Sequence, residues 1–186
     1  MNLHDYADQV MDEIRTALHG LSEAKITALV EGILHADRIF LAGAGRSGLM
    51  IKSFAMRLMH LGLKTFVVGD TTTPGIAAGD ILIIGSGSGA TASLVSMAEK
   101  AKQIGAQIAV VTIQEESRLG GLAHRVITIP APTPKINGNT GMYSVQPMGS
   151  LFEQCLLLTL EIVILYLMAA LQRDSARMFQ NHANLE

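Results

Sequence analysis

A single cysteine, Cys155, in 186 residues excludes an internal disulfide, and its leucine-rich surroundings mark it as a small core residue rather than a nucleophile. Strong charge is also missing. The formal net charge is −2 and no lysine- or arginine-rich run occurs, so no global field is available to attract nucleic acid and any anion must be gripped locally. Charged residues make up only 16% of the chain against 49% hydrophobic ones, with no tryptophan, which is more apolar surface than a solvated monomer hides. A homo-oligomer is therefore expected. The opening MNLHDYADQVMDEI holds acids and no apolar signal core, which points to the cytoplasm. One long apolar run exists, Leu151 to Leu171, but Glu153, Gln154 and Glu161 interrupt it at depths that would be costly in lipid, so a buried helix is expected and not a membrane span. The six histidines show no H-x-x-x-H spacing, so neither a metal nor another cofactor is expected.

What is present is an alternation. Helical apolar spacing covers residues 3–18 and 22–35, and short aliphatic strands follow at Arg38–Ala42, Thr65–Gly69, Asp80–Ile84, Gln107–Thr112 and Arg125–Ile129. Helical stretches lie between them near 47–61, 91–104 and 117–122, the last of them short, which implies right-handed crossovers and a parallel sheet covered by helices on both faces. A Pro/Gly-rich connection, PAPTPKINGNTGMYSVQPMG at 130–149, leads to a long closing helix from about Ser150 to Leu171. The expected organisation is one α/β domain over 1–186: a helical hairpin at 1–36, a core at 37–172 and a polar tail at 173–186.

In such sheets ligands bind at the carboxyl ends of strands. Both glycine-rich loops, GAGRSG at 43–48 and GSGSGA at 85–90, fall at that edge. In the second, Gly87 and Gly89 let the backbone approach a ligand, while the helix starting near Thr91 aims unpaired amides at the same spot. Ser86, Ser88 and Thr91 add hydroxyl donors, a set suited to phosphate; as isolated residues they would be ordinary helix caps. The first loop literally fits G-x-G-x-x-G, with Asp70 near where a ribose-binding acid would stand. Against a dinucleotide, two helices precede the first strand and no residues remain for a substrate domain. Gly45, Arg46 and Ser47 equally suit a sugar or its phosphate.

The segments FLAGAGRSGLMIKSFAMRLMHLG, IGSGSGAT, QPMGSLFEQ and the terminal HANLE are similar to those of the sugar isomerase (SIS) domain family, over almost the whole chain. The resemblance implies a flavodoxin-like three-layer sandwich around a five-stranded parallel sheet, and a tetramer with sites near subunit interfaces. It also implies interconversion of D-arabino-hex-3-ulose 6-phosphate and D-fructose 6-phosphate, a step of the ribulose monophosphate route of formaldehyde fixation. Moving that ketone requires a base that reaches C2 and C3 from one side. Glu153, entering the apolar helix after QPMGS, is the expected base; on sequence alone it equally suits a first-turn glutamate that complements the helix dipole. His182, within HANLE, is implied as the group that moves protons between the two oxygens, held in a neighbouring subunit's cleft. Thr72 and Gln146 are expected to contact the sugar or to shape turns. One departure is Asn181, where the resemblance leads one to expect arginine. A non-catalytic phosphosugar-binding regulator, another sugar-phosphate isomerase such as one for arabinose 5-phosphate, and a nucleotide binder using GAGRSG remain the alternatives.

Overall fold

A computed structural model of the chain describes residues 1–132 and 143–185. Residues 133–142 of the expected Pro/Gly-rich connection, and Glu186 at the end of HANLE, lie outside the described residues. Helices α1 (Leu3–His19) and α2 (Glu23–His35) come first. They are followed by β1 (Ile39–Gly43), α3 (Gly45–His60), β2 (Thr65–Val67), β3 (Ile81–Gly85), α4 (Ala92–Ile104), β4 (Gln107–Thr112) and β5 (Arg125–Thr128). Helices α5 (Ser150–Ala170) and α6 (Ser175–Phe179) end the chain. The five strands form one parallel sheet in the order β2-β1-β3-β4-β5.

Side-chain alternation assigns each strand two faces. Ile39 and Leu41, Ile81 and Ile83, and Ala109 and Val111 pack with α2, α3 and α5. Their neighbours Phe40, Leu82, Ile84, Ile108 and Val110 pack with Leu94, Val95, Ala98 and Ala101 of α4. Because both faces are covered, the strands read as unbroken aliphatic runs. Helix α5 has the length and composition of a membrane span, yet Leu151, Phe152, Cys155, Leu156, Leu160 and Leu167 are buried inside this fold. Burial pushes the Cys155 thiol up to about 11, which keeps it protonated and inert.

Two expectations are corrected. Residues 117–122 supply only a three-residue 3-10 turn, Gly120–Leu122, because the glycine pair at 120–121 favours a tight turn over a helix. Within the polar tail, Asp174 caps α6 by accepting the Arg177 N–H, and Met178 is buried against the core. The second strand is also shorter than expected, ending at Val67 before a turn through Gly69 and Asp70.

The strand order has a functional consequence. From β1 the chain crosses through α3 to β2 on one side, and from β3 it crosses through α4 to β4 on the other. The carboxyl ends of β1 and β3 therefore flank the crevice where an open α/β sheet takes its ligand. Gly43 pairs with Gly85 in the register, so both glycine loops leave the sheet at the same level.

At the opposite edge, Asp80 is buried and accepts from Arg38 Nε at 3.0 Å, Arg38 Nη2 at 2.7 Å and the Ala77 N–H at 2.6 Å. Desolvation pushes its carboxyl up, but the hydrogen bonds and the guanidinium charge outweigh this and hold it below the ordinary value. A lowered folded value means that the contribution is complete above the unfolded carboxyl's value and is lost as pH falls through the folded one. Asp80→Asn should cost about 1–3 kcal/mol at neutral pH, the range for losing hydrogen bonds to a charged group. The gap between parent and variant in urea unfolding should shrink as pH drops below about 4; a gap independent of pH would contradict the ion-pair account.

Candidate functional site

Three helices begin at the same cleft. The N-termini of α3, α4 and α5 all line a cavity of about 400 Å³ at the carboxyl edge of the sheet, between the ends of β1 and β3. None of the three has a side-chain cap: the N-cap positions are Ala44, Thr91 and Gly149, and none accepts a first-turn N–H through its side chain. First-turn amides that a cap would have occupied are thus left facing the cavity, with three positive dipole ends behind them. Such an arrangement selects an anion without a cluster of basic residues.

Close backbone packing brings these helix starts together. A Cβ added to Gly48 would lie 2.8 Å from the carbonyl oxygen of Gly43, so α3 starts directly against the end of β1. Gly89 has φ +59, in the left-handed region, and a Cβ there would collide with Ser117 Oγ. The 86–91 loop is further tied down by Ile113 N–H donating to the Gly87 carbonyl at 3.1 Å and Leu119 N–H donating to that of Gly89 at 2.9 Å. Phe152 of α5 packs on Gly87, where a Cβ would come within 3.1 Å of its ring.

Most of the residues singled out from the sequence meet here. Gly45, Arg46, Ser47, Ser86, Gly87, Ser88, Thr91 and Glu153 line the cavity, and Gly89 turns the loop that carries them. The sequence could not show that Arg46 and Glu153, 107 residues apart, form an ion pair across it. The Glu153 side chain is 17% exposed and that of Arg46 is 66% exposed, so the carboxylate sits in the wall and the guanidinium reaches in from solvent.

Three residues stand elsewhere. Thr72 borders a separate hollow beside β2, with Lys52, Met56 and Asp70. Gln146 turns its side-chain amide to Glu13, donating to Oε2 at 3.1 Å. His182 stacks between His60 and Phe179, with ring centroids 5.2 and 5.5 Å away, and is not brought to the cleft of its own chain. Asn181 donates to the His60 carbonyl at 2.9 Å and so pins this tail to the end of α3. His60 is buried, and desolvation, with help from Arg57 and His182, pushes its imidazole below the ordinary value, which favours the neutral ring. Glu161 forms a partly exposed pair with Arg57 at 3.6 Å.

Among the described residues, no group of three or more histidine, cysteine, aspartate or glutamate side chains is placed to hold a metal ion. Ile113, Pro147, Met148 and Phe152 of the lining were not singled out from the sequence, nor was Glu13 of α1, which holds the segment that enters the cleft wall and has no local motif to signal that contact.

A family model described as the SIS domain matches residues 32–158, which takes in the sheet, both glycine loops and Glu153. The chain belongs to the SIS domain family. Among SIS relatives, it is 47% identical over 186 residues to a 3-hexulose-6-phosphate isomerase of Bacillus subtilis, covering 100% of both chains. It is 44% identical over 177 residues to the enzyme of the same name from Mycobacterium gastri, covering 95% of this chain and 88% of the relative. A crystal structure from Methanococcus jannaschii, for which a 3-hexulose-6-phosphate isomerase function has been inferred, superposes with a TM-score of 0.84 at 34% identity, covering 98% of this chain and 99% of that one.

The backbone contact between Gly43 and Gly48 yields a direct test. Gly48→Ala should push the start of α3 off β1 and lower stability by about 1–3 kcal/mol, the cost of overpacking, read as a fall in the thermal unfolding midpoint. An unchanged midpoint would contradict the close approach.

Proposed function

We propose that this SIS protein is an isomerase that interconverts D-arabino-hex-3-ulose 6-phosphate and D-fructose 6-phosphate. The observation that carries the proposal is end-to-end similarity to the Bacillus subtilis enzyme, in a chain whose cleft joins an anion cradle to a partly buried carboxylate. A regulator needs the cradle and has no use for Glu153.

In this reading the phosphate occupies the 86–91 loop. It accepts from the hydroxyls of Ser86, Ser88 and Thr91 and from the open amides of α4, while Gly45 to Ser47 close the other side. Glu153, as carboxylate, removes the C2 proton; the electron pair left behind forms the C2=C3 bond of a 2,3-enediol and pushes charge onto O3, which takes up the proton that O2 gives up, and the carboxylic acid returns its proton to C3 as the C2 carbonyl forms. One base serves both carbons because they lie on one face of the planar intermediate. Arg46, paired with Glu153 across the cleft, stabilises negative charge that moves onto the substrate oxygens as the carboxylate is protonated.

His182 completes the oxygen-to-oxygen proton transfer from another subunit. Support for assembly comes from apolar side chains left exposed on the outer helices: Leu49 and Met56 of α3, Leu165 of α5 and Phe179 of α6. A cytoplasmic tetramer with sites near its subunit interfaces, acting in the ribulose monophosphate route of formaldehyde fixation, fits this chemistry. The whole chain acts as one SIS domain, and the reaction needs no metal or other cofactor.

The decisive assay couples hexulose-6-phosphate synthase to this protein and follows fructose 6-phosphate. Glu153→Gln should reduce turnover by about 10²–10⁴-fold while fructose 6-phosphate still binds; near-parental turnover would remove Glu153 from its role. Ser88→Ala should weaken binding by roughly tenfold, as loss of a hydrogen bond to a charged group does, and unchanged affinity would place the phosphate elsewhere.

A further inference from the structure

Helix α1 reaches the irregular segment that enters the cleft wall just before α5. Its Glu13 accepts from three consecutive residues: Ser144 Oγ to Oε2 at 2.6 Å, Val145 N–H to Oε1 at 2.7 Å, and Gln146 Nε2 to Oε2 at 3.1 Å. Ser144 Oγ in turn accepts the Gln146 N–H at 3.0 Å, so a ring of contacts closes around one carboxylate. Desolvation acts to push this carboxyl up, and the three donors more than offset it and hold it below the ordinary value.

Directly after the clamp, Pro147, Met148 and Gly149 form the cleft wall. Met148 has φ 56, a left-handed conformation that a side-chain-bearing residue keeps only when its surroundings fix it. Burial does not fix it, because Val145 is 41% and Met148 77% exposed. The fixed points are Glu13 on one side and the start of α5 on the other. There the Ser150 N–H donates to the Pro147 carbonyl at 3.1 Å and the Glu153 N–H donates to that of Gly149 at 3.0 Å.

We propose that Glu13 is a positioning residue for the reaction: through Ser144, Val145 and Gln146 it sets the Pro147–Gly149 wall against which the substrate binds. This rests on the sugar-phosphate reading of the cleft. It also gives Gln146 a role, as a strut to α1 in place of a substrate contact. Glu13 touches neither the cavity nor the substrate, so its influence is carried entirely by the segment it holds.

The test compares parent, Glu13→Gln, Ser144→Ala and the double variant by steady-state kinetics and by amide hydrogen exchange of residues 143–150. Glu13→Gln keeps the size of the side chain but turns an NH2 group on the donors it faced. KM should rise by about tenfold, as when a charged acceptor is lost, while kcat changes much less. Exchange should quicken in 145–150 and stay as in the parent in β1, β3 and β4. Ser144→Ala should raise KM less, and the double variant should fall short of the product of the two single effects, because both act on one contact.

A parental KM in Glu13→Gln overturns the proposal whatever the exchange shows. So does faster exchange spread over the whole sheet with kcat falling alongside the folded fraction, which marks a merely structural role. Should the parent itself fail to isomerise the sugar, the functional reading is what fails; fructose 6-phosphate affinity then replaces KM and the same comparison still decides the clamp.

Discussion

The structure depends on three helices starting at one place without side-chain caps. Ala44, Thr91 and Gly149 leave first-turn amides free where a serine or aspartate cap oxygen would have taken them, and the reversal of chain winding between β1 and β3 of the parallel sheet gathers two of those starts over one crevice. Open amides in a crevice call for an anionic ligand, and their fixed orientation costs nothing to arrange when it arrives. The third helix, α5, brings a carboxylate into this positive region, where Arg46 partners it. A carboxylate beside open helix amides would repel an anionic ligand; the guanidinium and the dipole ends offset that repulsion.

Much of this was legible along the chain. Aliphatic runs bounded by glycine mark β1, β3 and β4 because strands buried on both faces lose the polar alternation of an exposed sheet. GAGRSG and GSGSGA could be placed at the ligand edge because a parallel sheet puts every strand-to-helix turn on one side. What stayed hidden was mostly non-local. No spacing rule joins Arg46 to Glu153 or Glu13 to Ser144, since those pairs are made by tertiary packing of α3 and α1 around α5. Helix α6 escaped for a different reason: five residues are too few to show a period, and only the Asp174 cap announces it. The separate placements of Thr72 and Gln146 follow from the short β2 and from the Glu13 clamp, neither of which has a local signature.

The tail shows how a terminal residue can be ordered without reaching its own chain's cleft. His182 is held by stacking on His60 and Phe179, and Asn181 ties the backbone to the end of α3, so the imidazole is presented on an outer surface beside exposed apolar groups. A fixed histidine on such a surface suits a site assembled between subunits better than a free tail would, because the orientation is set before association.

The most direct measurement is a crystal structure of the protein with D-fructose 6-phosphate. The account predicts phosphate oxygens within about 3 Å of the Ser86, Ser88 and Thr91 hydroxyls, and the Glu153 carboxylate lying over one face of the C2–C3 bond. A phosphate bound outside the 86–91 loop, or a Glu153 turned away from both carbons, would contradict it.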